Sequence, residues 1–238
     1  MPQNLTKKQL LALAADEWRE EQERARRESI LLEELRADFV ANATELAVVT
    51  RGHDAELVAA QDLIHALEGD SVLSAPLPDV MSRVLFSNWR FDPEMGALDS
   101  YLGGGNLRLI SNPALRSALA DWPRRVDEVW QQESRILEFV DRDARAFLLS
   151  EAEVLGLVGW ESSGAPTTDT GRRQSPAREL GQLYRADTAE VTRLFGDPRL
   201  TNLASVRLLL AQAVSVKTRR LSEATASVLD LLEQELGR

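Results

Sequence analysis

Residues 32–53 read LEELRADFVANATELAVVTRGH. Leu32, Leu35, Phe39, Asn42, Leu46, Val49 and His53 follow one another in steps of three and four without an error. That is the spacing of a helix with one buried seam, as in a bundle or a coiled coil; a half-buried strand would instead repeat every second residue. The helix extends both ways, because residues 5–68 hold no proline and a single glycine, Gly52. Upstream, WREEQERARRESILLEEL (18–35) is heavily charged. Glu20 with Arg24 and Glu23 with Arg27 lie one turn apart in the favourable order, each pair worth about 0.2–0.5 kcal/mol. A helix of this kind stands in water with little packing. Downstream, the phase slips at Gly52-His53, resumes as Leu57, Ala60, Ile64 and Leu67, and ends at Gly69-Asp70 and the SAPLP stretch.

A second seam runs through Leu115, Leu119, Trp122, Val126, Val129, Glu133, Ile136, Val140, Asp143 and Phe147, with Pro123 inside it as an expected kink. Three helix starts carry an Asx residue followed by proline: Asp92-Pro93, Asn112-Pro113 and Asp197-Pro198. The repeated use of one capping solution explains their likeness without an internal duplication. A short helix is expected over 78–88, another from Asp92 to about Leu102, a third after Pro176, and a last long one from Asp197 to about Leu236. No segment alternates in twos with β-branched residues. The expected class is therefore all-α, an elongated helical bundle with three long helices and several short ones. The expected division is a charged helix over 1–30, a bundle over 31–158, a flexible loop rich in Gly, Ser, Thr and Pro over 159–176, and C-terminal helices over 177–238 packing on the same bundle.

Composition narrows the function. A net charge of −10 argues against nucleic acid as partner, since phosphate binding needs a basic face. With no cysteine, disulfides, thiolate chemistry and cysteine-based zinc sites are excluded. No apolar run reaches the roughly 18–20 residues of a membrane span; Leu10–Ala15 is the nearest and is too short for a signal-peptide core.

The glycines of YLGGGNLRLISNPALRSAL (101–119) lack the lysine and hydroxyl of a phosphate loop. They read instead as a corner. The helix stops at Gly103, Gly104 and Gly105 with left-handed residues, and a capped restart follows at Asn112 and Pro113. Four polar residues interrupt the seams: Asn42, His53, Glu133 and Asp143. They either meet inside the bundle, as a register-fixing or ligand-binding cluster, or lie at its wet edge. His53-x-x-Glu56 and Asp62-x-x-His65 sit on one helix in the wrong order for a di-metal carboxylate site, so no metal and no cofactor are expected. No nucleophile elbow is present and no catalytic residue stands out.

ALAADEWREEQERARRESILLEELRADFVANATEL, followed later by ALDSYLGGGNLRLISNPALRSALADW, resembles an uncharacterised family of bacterial single-span membrane proteins. In that family a transmembrane helix runs into an acidic-Trp junction, a charged helix and a Leu-rich helix. A Gly-rich turn then precedes residues like Asn106-Leu107 and Leu109-Ile110, and a capped helix start like Asn112 follows. The likeness covers roughly residues 10–150. It implies membrane anchoring, with Trp18 beside Asp16-Glu17 near the interface, but the family's span is missing here and only its tail, Leu10–Ala15, remains. The expected function is a non-enzymatic interaction or assembly module, self-associating or binding a protein partner, anchored to a membrane if the native protein carries the family's span. A ligand-sensing bundle is the alternative, and an enzyme of unknown type comes last.

Overall fold

The computed structural model describes residues 7–69, 73, 77–104, 109–151 and 193–237. The expected loop at 159–176, the helix expected after Pro176, and Gly105, Asn106 and Leu107 lie outside the described residues. Every regular element described is helical: α1 (Lys7–Glu68), α2 (Leu77–Leu85), α3 (Gly96–Gly103), α4 (Pro113–Glu138), a π-helical turn (Phe139–Ala144), α5 (Arg145–Glu151) and α6 (Pro198–Glu235). The protein is all-α with three long helices, α1 of 62 residues, α4 of 26 and α6 of 38. Among the described residues, no helix is long and apolar enough to cross a membrane.

The chain forms two compact units, to both of which α1, α4 and α6 supply residues. The first comprises Met1–Glu45, Asp92–Arg124 and Leu221–Arg238; the second comprises Leu46–Phe91 and Arg125–Arg220.

In the first unit, the seam of α1 buries Leu32, Leu35 and Phe39, α4 buries Leu115, Leu119 and Trp122, and α6 buries Leu221, Val228 and Leu232. The Phe39 and Trp122 rings lie 4.9 Å apart, tilted by 57°. Trp122 Nε1 donates to Thr225 Oγ1 at 3.0 Å, so the largest buried side chain has its one polar atom paired. The Asn112-Pro113 start forms as expected, with Asn112 Oδ1 accepting from Ala114 N and Leu115 N.

Asp92-Pro93 is different, because the helix begins only at Gly96. The reason is a polar stripe on α1. Asn42 Nδ2 donates to the Glu94 carbonyl while Asn42 Oδ1 accepts from Glu94 N, Glu45 accepts from Asp92 N, and Asp38 accepts from Ala97 N. These tertiary partners satisfy the backbone of 92–97 and displace the local cap. At the glycine triplet, Gly104 has φ −83 and Gly103 no positive φ, so neither is left-handed, and Gly105 lies outside the described residues. Left-handed glycines stand instead at the ends of α1 and α6, at Gly69 and Gly237.

The second unit has one apolar core, with Ala60 and Leu63 of α1, Val84 and Leu85 of α2, Ile136 of α4, Phe147 and Leu148 of α5, and Ala204 and Val214 of α6. The phase slip at Gly52 does not break α1. Gly52 lies against the Trp89 indole, and a methyl group there would meet the ring at 2.3 Å. The π-helical turn explains Asp143. Arg145 N bonds back five residues to the Val140 carbonyl, which rotates the inward face from Val140 to Ala144 and leaves Asp143 exposed.

Candidate functional site

Of the four seam polars, two meet. His53 on α1 and Glu133 on α4 belong to a buried quartet in the second unit, completed by Glu56 on α1 and Arg207 on α6. Their exposures of 0, 1, 4 and 0 % for His53, Glu56, Glu133 and Arg207 leave no access to bulk water. Asn42 serves the first unit as described, and Asp143 faces solvent.

The helical repeat places His53 and Glu56 three residues apart on one face. His53 Nδ1 lies 3.2 Å from Glu56 Oε2 and its Nε2 lies 3.5 Å from Glu133 Oε1. Arg207 pairs with Glu56 Oε2 at 2.8 Å and donates to the Ser87 carbonyl, also at 2.8 Å. Phe91 N donates to Glu133 Oε1 at 3.1 Å, and Trp130 Nε1 to the Phe91 carbonyl at 2.8 Å. Three helices and the segment between α2 and α3 are thus tied at one point. Two carboxylates face one guanidinium and one imidazole, so the quartet is neutral when His53 is protonated.

Burial alone pushes the His53 imidazole down from its ordinary 6.5, but Glu133 and Glu56 on its two nitrogens more than reverse this, and its pKa is raised. Burial also lowers the Arg207 pKa, which Glu56 partly restores. A histidine with a raised folded pKa contributes stability that is complete below 6.5 and is lost as pH rises through the folded value. The urea midpoint of unfolding is therefore expected to fall as pH is raised above 6.5, and His53→Gln is expected to flatten that dependence.

The arrangement is not a metal centre. Arg207 occupies Glu56, and among the described residues no group of three or more His, Cys, Asp or Glu could hold a metal ion. Two surface grooves of the second unit, of about 390 and 360 Å³, are bounded by Asp127, Trp130 and Arg135 and by Asp54, Val58 and Asp62, and no quartet residue lines either. Glu56 Oε1, Glu133 Oε2, and Nε and Nη1 of Arg207 make no hydrogen bond to the described residues. The quartet is chemically suited to fixing helix register, a use attested for buried polar groups.

Sequence reasoning weighed Glu56 only as a metal ligand and missed Arg207. A signal for Arg207 existed: it is the one charged residue in the apolar run ASVRLLLAQAV (204–214). In comparisons with known proteins, no family model, no curated protein and no solved structure matches this chain.

Proposed function

We propose that the chain is a non-enzymatic helical interaction or assembly module. One observation carries this reading: every residue from Ala15 to Arg27 is exposed, although all belong to α1, and the first buried residue of that segment is Leu31. Its i,i+4 pairs let this stretch stand in water as a helix, and because most helical stability comes from tertiary contacts, packing on another helix would stabilise it further. Such a stretch is held out as a surface for another helix. The family resemblance adds a setting to the proposal, a stalk next to a membrane anchor.

The test is the mass of the chain in solution, by light scattering, with and without residues 1–30. An oligomer that dissociates on removal of 1–30 is expected. A monomer that binds no partner overturns the reading.

A ligand-sensing bundle is the second reading, favoured by the buried quartet atoms that make no hydrogen bond to the described residues. A thermal-shift screen of metabolites and metal ions checks it, and silence across the panel removes it.

A further inference from the structure

Within the charged part of α1, one line carries no charge: Ala15, Trp18, Gln22, Ala25, Ser29 and Leu32. Its steps alternate three and four, a heptad seam. It is open to solvent from Ala15 to Ser29, with Trp18 61% exposed, and ends where Leu32 enters the core of the first unit. The seam is distinct from the Leu32–His53 line, which faces inward. Its core positions are small or polar apart from Trp18, so charge at the flanks decides the partner.

Glu21 and Glu28 flank the seam on one side, and Arg19 and Arg26 on the other. Beside a second parallel copy, Glu21 faces Arg26 of the other chain, and symmetry makes this pair twice. Glu28 is held within its own chain by the amide and hydroxyl of Ser111, which marks the end of the coil. In the antiparallel arrangement Arg19 would face Arg26, and Glu21 would face Glu28, so like charges would oppose on both sides.

We infer that residues 15–29 of α1 are a parallel, in-register docking seam for a second copy of this chain. This rests on the assembly reading above and specifies its partner and geometry. Trp18 and Ala25 stack on their own symmetry mates, and Gln22 meets Gln22 across the axis, where an amide pair fixes register as polar core residues do in coiled coils.

Sedimentation equilibrium of the full chain tests it. The parent chain is expected to be a dimer. Glu21→Arg alone or Arg26→Glu alone replaces two attractive pairs by two repulsive ones and weakens the dimer by about tenfold. The double substitution Glu21→Arg with Arg26→Glu reverses both partners and returns affinity to within about twofold of the parent. Because the chain has no cysteine, Gln22→Cys alone reports register, by forming a disulfide-linked dimer without reductant. A dimer indifferent to the single charge substitutions, or not restored by the double one, or not cross-linked through position 22, overturns the parallel seam and leaves the assembly reading standing. A chain monomeric at all concentrations overturns the seam, and one that in addition binds no partner overturns the assembly reading with it.

Discussion

Arg207→Ala is expected to destabilise the second unit by about 3–5 kcal/mol, the range for removing one partner of a buried ion pair. The reason lies in what remains. Arg207 is fully buried and balances Glu56, whose carboxylate would be left beside His53 and near Glu133 with one cation for two anions. The Ser87 carbonyl loses a charged donor in the same step. Urea denaturation over a range of pH reads the effect, and it grows as pH rises through the raised pKa of His53, where loss of its proton leaves neither cation in place. The companion variant replaces the whole quartet by apolar residues: His53→Leu, Glu56→Leu, Glu133→Leu and Arg207→Met. It recovers part of the loss, since burying the ions was itself expensive, but not all, because Phe91 N and the Ser87 carbonyl lose their partners at about 1–3 kcal/mol each. If Arg207→Ala instead leaves the urea midpoint unmoved, the quartet is not a structural tie.

Trp122→Ala is expected to cost the first unit about 3–5 kcal/mol, the usual range for deleting a large aromatic from a packed core. Trp122 is fully buried, packs at a tilt against Phe39 of α1 and bonds through Nε1 to Thr225 of α6, so its removal opens a cavity where three helices converge. Trp122→Phe separates the two contributions. It keeps a ring against Phe39 and gives up the Nε1 bond, for a loss nearer 1–2 kcal/mol from the bond and the smaller ring. Thermal unfolding followed by circular dichroism measures both, and equal losses for the two variants would contradict this account.

Of the two residues, the sequence marked only Trp122 as inward-facing; Arg207 lay on no seam read from it. Trp122 sits on an unbroken seam, and its burial follows from the helical repeat alone. The same repeat identified Leu32–Val49 and Leu115–Ile136, and the Asn112-Pro113 cap followed from adjacent side-chain and backbone chemistry. These are local signals, spanning one turn or two, so the chain states them without reference to the rest of the fold.

What the sequence by itself determined is therefore the class, all-α, the three long helices and the inward lines of α1 and of α4 as far as Ile136. The tertiary structure alone decided who meets whom. Asn42 and His53 lie on one seam, yet Asn42 binds the backbone of Glu94 and His53 joins Glu56, Glu133 and Arg207. Asp92-Pro93 carries a capping signal that hydrogen bonds donated by Glu94 N to Asn42 and by Asp92 N to Glu45 override. Asp143 lost its inward place to one π-helical turn. The physical reason is the same in each case: helix periodicity sets a direction within about one turn, whereas the partner of a buried polar group is set by which distant donor, acceptor or charge can compensate its desolvation.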